Sequence, residues 1–100
     1  MIYMAKTYYL LFRVVPAEDN VHHGMIKGAL AHFWVVDTLP ASALFRAENY
    51  LAKYKWRITE LVQDAVETTA EHSLEKEIGI KHYIEAQVHG ISAAFASWVS

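Results

Sequence analysis

The chain has 100 residues, of which 54% are hydrophobic and 20% are charged, and this composition predicts one folded domain and excludes the disordered class. Its 9 basic and 11 acidic residues are mixed along the chain, with a formal net charge of -2, so we expect neither nucleic acid nor a membrane as a partner. Cysteine is absent, which excludes disulfides, thiolate metal sites and cysteine nucleophiles and suits a cytoplasmic location.

The N-terminal stretch Lys6–Val15 (K-T-Y-Y-L-L-F-R-V-V) is rich in aromatic and β-branched residues and is followed by Pro16. This composition predicts a first strand whose alternate side chains point to opposite faces. Arg13 interrupts the apolar run and no small-residue cleavage site follows, so we expect no signal peptide. The polar segment Pro16–Gly28 predicts a long exposed loop.

The stretch Lys27–Asp37 (K-G-A-L-A-H-F-W-V-V-D) is the most strand-like part of the chain. Its apolar side chains fall in both alternating sets, which is typical of a strand covered on both faces. A bilayer-spanning helix needs about 20 apolar residues, so this run is too short to cross a membrane. We predict a central strand, antiparallel to the first. Inside it, His32 fits either a hydrogen-bonded core histidine or a ligand contact.

A first helix is predicted from Pro40 to about Tyr54. Asp37 or Thr38 can cap its first amide groups, and proline is tolerated in the first turn. Apolar residues then recur at three- and four-residue steps, as on one face of a helix: Leu44, Ala47, Leu51 and Tyr54.

The segment after this helix has two interpretations. Apolar residues from Ile58 to Val66 continue the helical period without a glycine or proline, so one helix could run to about Thr69. The alternation of Trp56, Ile58 and Val62 instead favours a strand. Since a single helix would exceed the usual three or four turns, we predict a third strand and a right-handed β-α-β crossover.

The C-terminal third predicts a second helix and a closing strand. Thr68 and Glu71 have the spacing of a capping box. The inward stripe of the helix is predicted to be Ile80, Tyr83, Ile84 and Val88. Gly90 follows in the position of a left-handed C′ residue, so we predict a positive φ there. Ile91–Val99 then predicts a strand, although its alanines would also suit a helix.

An ordered set of short motifs covers most of the chain: A-x-x-x-A (Ala43, Ala47), Trp56, V-x-x-T (Val66, Thr69), E-A (Glu85, Ala86), Gly90 and F-x-S-W (Phe95, Ser97, Trp98). In this order and at this length, the pattern resembles a loose group of small uncharacterised bacterial proteins with an α+β fold. The resemblance implies a β-β-α-β-α-β order. It implies no activity, because none is assigned to that group.

Two groups of histidines have the residue types of metal ligands. His82, Glu85 and His89 share one side of the predicted second helix, at a spacing that could hold zinc. That side is opposite the predicted apolar stripe, so we expect these groups to face water, and the H-E-x-x-H motif is absent. His22-His23 lie in the loop, where neighbouring side chains need not converge. We therefore expect no metal and no cofactor.

Motifs for nucleophilic catalysis and phosphate binding are not found in the sequence. Ser73, Ser92 and Ser97 have no identifiable base and orienting acid, so a hydrolase triad is not predicted. Neither G-x-x-x-x-G-K-[ST] nor G-x-G-x-x-G occurs. The sequence therefore predicts no catalytic residue.

Together these elements predict an α+β fold, a two-layer sandwich with two helices on one face of a mostly antiparallel four-stranded sheet. The other face would be apolar and uncovered, so we predict a homodimer formed through it. The predicted function is a small binding or assembly module, with Phe12, Arg13, His32 and Trp34 as candidate ligand or partner contacts. The alternative is a small-molecule-binding protein or enzyme with a pocket between the sheet and the 16–28 loop.

Overall fold

The computed structural model describes residues 4–74 and 77–99. Its elements, in chain order, are β1 (Lys6–Pro16), β2 (Gly28–Asp37), α1 (Pro40–Lys53), β3 (Trp56–Thr68), α2 (Ala70–Leu74), α3 (Glu77–His89) and β4 (Ile91–Trp98). The described chain therefore has an α+β fold with a four-stranded antiparallel sheet. The five-residue helix α2 was not predicted. No helix in the described residues combines the length and the apolar character needed to cross a bilayer.

The sheet has the strand order β3-β1-β2-β4. The hairpin of β1 and β2 is central, and it pairs Lys6 with Asp37 at one end and Val14 with Ala29 at the other. The prediction of a strand beginning at Trp56 is confirmed, because β3 pairs with β1 along its length. Three register shifts interrupt that pairing. Such irregularities increase the local twist of an edge strand and hinder its pairing with another chain.

The main core lies on one side of the sheet, called here the first face. It is formed by alternate residues of the two central strands: Tyr8, Leu10, Phe12, Val14, Ala29, Ala31, Phe33 and Val35. Helix α1 packs on this face through three fully buried residues, Ala43, Ala47 and Leu51. The two alanines allow the helix to approach closely, and the Phe12 and Phe33 rings meet edge to face at 5.6 Å. Burying each large apolar side chain contributes about 1.5–3 kcal/mol to stability.

Helix α3 contacts the opposite side of the sheet, called here the second face, which carries Tyr9, Leu11, Leu30, His32 and Trp34. The His82 ring stacks on Trp34 at 5.2 Å, and the Gln87 side-chain amide donates to the Thr7 hydroxyl at 2.8 Å. Trp34 alternates with Phe33 and Val35, so it points away from α1. The two longer helices therefore lie on opposite faces, and the prediction that both cover one face is not met.

The inward stripe of α3 differs from the prediction. Ile84 and Val88 are 56% and 72% exposed, whereas Ala86 is fully buried and Gly79 is also buried. These two small residues lie three and four positions from His82, whose ring stacks on Trp34, so they are on the side of the helix that faces the sheet. The fit to the sheet therefore decides which side of this helix is buried, and the most apolar side remains in solvent.

Of the residues predicted to cap the helices, one is confirmed and others are wrong. Gly90 has a φ of 84° and is followed directly by the strand β4, as predicted. The N-cap of α1 is Leu39, without a side-chain hydrogen bond, so neither Asp37 nor Thr38 is the cap. At α2 the capping hydroxyl is that of Thr69, which accepts from the His72 amide at 3.2 Å.

Candidate functional site

A cleft of about 690 Å³ opens at the end of the sheet where β1 and β4 finish and β2 and β3 begin. Its walls come from four parts of the chain: the 17–27 loop, the last turn of α1, the start of β3 and the end of β4. Small-molecule sites in proteins usually have volumes of roughly 300–1,000 Å³ and mainly apolar walls. The cleft has the size of such a site, and it lies between the sheet and the loop.

The floor and one wall of the cleft are aromatic. The Trp56 ring of β3 stacks on the Phe95 ring of β4 with centroids 5.1 Å apart. These strands are the two edges of the sheet, about 14 Å apart at the usual strand spacing. Their rings therefore meet across the first face, over the two central strands. Phe33 lies beside this pair, with its ring 6.5 Å from that of Phe95.

The opposite wall is formed by two tyrosines at the end of α1. The Tyr50 ring lies 5.3 Å from the Phe33 ring, and the Tyr54 ring lies 4.7 Å from the Tyr50 ring. Burial, and then the neighbouring Tyr54, raises the pKa of the Tyr50 phenol. This phenol therefore stays protonated and can donate a hydrogen bond. Among the described residues, none forms a hydrogen bond with the Tyr50 hydroxyl, so a ligand in the cleft could take that partner position.

The buried side chain of Asn20 fixes the loop wall to the end of α1. Its amide nitrogen donates to the carbonyl oxygens of Lys55 at 2.9 Å and Tyr54 at 3.3 Å. Its amide oxygen accepts from the backbone N–H of His22 at 2.8 Å. The His22 ring then stacks on Trp56 with centroids 6.3 Å apart. This half of the His22-His23 pair thus contributes to an aromatic wall.

Charged side chains surround the open side of the cleft. The Lys53 ammonium lies 5.6 Å from the centre of the Tyr54 ring. The Lys55 ammonium lies 3.5 Å from the Asp19 carboxylate, and both side chains are more than half exposed. An exposed ion pair of this kind contributes about 0–1 kcal/mol to stability. Lys55 also has a φ of 66°, the left-handed region that glycine normally occupies.

A second group of interacting polar residues lies under α3, on the second face. The Ser92 hydroxyl donates to the Glu85 carboxylate at 2.9 Å and lies 2.6 Å from Nδ1 of His82. Nδ1 is also the nitrogen nearest the Glu85 carboxylate, at 3.5 Å. A hydrolase triad needs one imidazole nitrogen on the serine and the other on the acid. This arrangement is therefore not a triad, and it joins α3 to β4.

The expectation that His82 and Glu85 face water is wrong for the histidine. The His82 side chain is 17% exposed, because its ring covers Trp34. The spacing of His82 and Glu85 followed by a serine in the next strand was visible in the sequence. The apolar stripe of α3 is on the side away from the sheet, so apolar spacing alone does not predict that this group is buried.

The four candidate contact residues from the sequence do not line the cleft. Phe12 is 1% exposed in the core of the first face. The other three lie on the second face. His32 Nδ1 is 2.7 Å from the Tyr9 hydroxyl, and Trp34 is 6% exposed beneath His82. Arg13 forms an ion pair with Glu60 at 3.4 Å. A ligand or partner role for these residues remains a prediction.

The cleft residues that sequence reasoning missed are Tyr50, Tyr54, Trp56 and Phe95. Three of them, Tyr50, Tyr54 and Trp56, lie where α1 ends and β3 begins, and their side chains line the cleft. The fourth comes from the far edge of the sheet, and its position depended on the strand order. Among the described residues, no group of three or more His, Cys, Asp or Glu is placed to hold a metal ion.

Comparison of the chain with protein-family models, with curated proteins and with solved structures found no match. The resemblance to small bacterial α+β proteins therefore stays a prediction.

Proposed function

We propose that this protein binds a small organic molecule, with a flat, aromatic part of that molecule held in the cleft against Tyr54, Trp56 and Phe95. The observation that carries the proposal is the meeting of aromatic residues from both edges of the sheet beside an open cleft of about 690 Å³. Contact between aromatic rings contributes about 0.5–1.5 kcal/mol beyond the burial of area.

The support for binding is that the walls are held in place by contacts within the chain. Asn20 fixes the loop to the backbone of Tyr54 and Lys55, and His22 is stacked on Trp56. A preformed site loses little conformational entropy when a ligand enters.

The proposal is tested by titrating the protein with 2-naphthamide, a flat neutral probe, and following the indole N–H resonance of Trp56 by NMR. We expect a saturable shift of that resonance. Tyr54→Ala should weaken binding about 3- to 10-fold, since it removes one stacking partner. Phe45→Ala is the matched control, because Phe45 is also an exposed aromatic residue of α1 but does not line the cleft.

Two results of this titration would contradict the proposal. If the Trp56 resonance does not move at millimolar probe, or if Tyr54→Ala and Phe45→Ala weaken binding equally, the cleft is not a ligand site. Thermal unfolding of each variant should be measured alongside, so that a loss of binding is not confused with a loss of folded protein.

A second candidate function is self-association as a homodimer. It is supported by exposed apolar residues on the side of the molecule away from α1. Ile84 and Val88 of α3 are 56% and 72% exposed, and Val66 of β3 is 45% exposed. A standard interface buries about 800 Å² per partner and places such residues at its centre.

Self-association is tested by light scattering at micromolar concentration. A dimer should give twice the chain mass of 11.4 kDa. The double variant Ile84→Glu/Val88→Glu should then return the protein to a monomer, because it places charges in an apolar contact. A monomer mass for the unmodified protein would exclude this candidate and leave the cleft proposal unaffected.

A further inference from the structure

We propose that the cleft selects aromatic acids, that is, ligands with one negative charge beside the flat part, over neutral molecules of the same shape. This inference rests on the proposed function. It concerns the charged residues of the described cleft lining, which are Asp19, Lys53 and Lys55. The two lysines against the one aspartate leave an excess of one positive charge, which a single carboxylate of the ligand would neutralise.

The backbone of Lys55 is the first independent observation. Its φ of 66° is unfavourable for a residue with a side chain. The hydrogen bonds of its backbone do not involve the side chain: the amide donates to Ala52 at 3.1 Å, and the carbonyl accepts from Ala17 and Asn20 at 2.9 Å each. Glycine would make all of these contacts without the unfavourable conformation. The backbone at this position therefore does not require a lysine, and Lys55 is one of the residues that line the cleft.

The ion pair of Lys55 is the second observation. Lys55 and Asp19 are 3.5 Å apart and well solvated, so little free energy is lost when Lys55 exchanges Asp19 for another carboxylate. A ligand carboxylate that enters the cleft can therefore replace Asp19 as the partner of this ammonium.

Lys53 carries the positive charge that remains when Lys55 is paired with Asp19. Among the described residues it has no ion-pair partner, and its ammonium lies 5.6 Å from the centre of the Tyr54 ring. The aromatic part of a ligand stacked on Tyr54 would carry its acid group into reach of this ammonium. The cleft then offers stacking surface and charge at the same end, which is the chemistry that recognises an aromatic acid.

The test compares 2-naphthoate with 2-naphthamide, which has the same shape and no charge, at low ionic strength. We expect 2-naphthoate to bind about 10-fold more tightly, and this preference to fall at least about 3-fold in Lys55→Ala and in Lys53→Gln. The preference should also fall in about 0.5 M salt, because salt screens exposed charges. Lys81→Gln is the matched control, since Lys81 is exposed on α3 and does not line the cleft; it should leave the preference unchanged.

The results of this comparison distinguish a failure of the inference from a failure of the proposed function. If 2-naphthamide binds at Trp56 and 2-naphthoate binds no more tightly, the inference is wrong and the proposed function stands. A preference that survives both lysine substitutions also overturns the inference. If neither probe shifts the Trp56 resonance, both proposals fail. The dianion 2-naphthyl phosphate should bind no more tightly than 2-naphthoate, and a clear gain for it would contradict the single-charge argument.

Discussion

Arg46 of α1 donates a hydrogen bond to the carbonyl oxygen of Gly90, 44 residues further along the chain, at 3.2 Å. The same guanidinium donates to the carbonyl of Val36 at 2.6 Å and lies 3.3 Å from the Asp37 carboxylate. Since Gly90 joins α3 to β4, this one side chain connects the helix of the first face to the turn that follows the helix of the second face. It acts at the end of the sheet opposite the cleft.

Replacing Arg46 should destabilise the whole fold. We expect Arg46→Met to lower the free energy of unfolding by about 1.5–3 kcal/mol, because hydrogen bonds to a charged group are lost and partly buried carbonyls lose a donor. Urea unfolding followed by circular dichroism measures this. Arg57→Met, an exposed arginine of β3, should stay within about 0.5 kcal/mol of the unmodified protein. Equal losses in the two variants would show that the Arg46 contacts are not stabilising.

Two glycines with positive φ allow backbone strain to be separated from crowding. Gly24 has a φ of 86° and open space where a Cβ would lie, whereas a Cβ at Gly90 would be 3.1 Å from the Arg46 guanidinium. We expect Gly24→Ala to cost about 1 kcal/mol from the backbone alone. Gly90→Ala should cost more, since Arg46 must also shift. Thermal or urea unfolding of both variants checks this order, and a smaller loss at Gly90 would contradict it.

The stability of the protein should fall in acid partly because of Asp37. Burial alone would raise the pKa of this carboxyl, but hydrogen bonds from the Thr38 backbone and from Arg46 hold the pKa below its ordinary value of 3.8. The unfolded chain therefore takes up the proton first as the pH falls. The stabilising contribution is complete above the unfolded value and is lost as the pH falls through the folded value.

The measurement compares the unmodified protein with Asp37→Asn across this pH range. The difference in free energy of unfolding should be constant between about pH 5 and pH 7 and should shrink below about pH 4. A difference that stays constant down to the lowest pH would mean that Asp37 does not titrate differently in the folded and unfolded chain.

Lys55→Gly should stabilise the protein, which few substitutions of a surface lysine do. An L-residue in the left-handed region carries a conformational cost of about 1–2 kcal/mol that glycine avoids. Part of this gain is offset because glycine is more flexible in the unfolded chain. We expect a net gain of up to about 1 kcal/mol for Lys55→Gly and none for Lys55→Ala, which keeps the side-chain carbon. Equal stabilities for the two variants would show that the backbone at residue 55 is unstrained.

The strands were predictable from the sequence because their composition and alternation are local properties. β1, β2 and the strand beginning at Trp56 all follow from aromatic and β-branched residues at alternating positions. The orientation of α3 was not predictable in this way, because it depends on the contact of His82 with Trp34, which is 48 residues away in the sequence. The side of a helix that is buried is set by the shape of its partner as well as by apolar spacing.

The cleft could not be predicted from the sequence for a related reason. Its aromatic wall joins Trp56 and Phe95, which belong to the two edge strands β3 and β4 and meet across the first face of the sheet. The loop side of the cleft could be expected, since a long polar segment next to a sheet often borders a pocket. The order of the strands, which decides the remaining wall, depends on contacts distant in sequence.

During folding, the cleft can form only after β4 has paired with β2. β4 is the last strand of the described chain, and Phe95 lies within it. Before β4 docks, the edge of β2 is unpaired and the Trp56 ring has no partner across the sheet. A molecule bound in the cleft against both rings would hold the last strand against the hairpin, so occupancy of the cleft should oppose the fraying of β4 and slow the opening of that sheet edge.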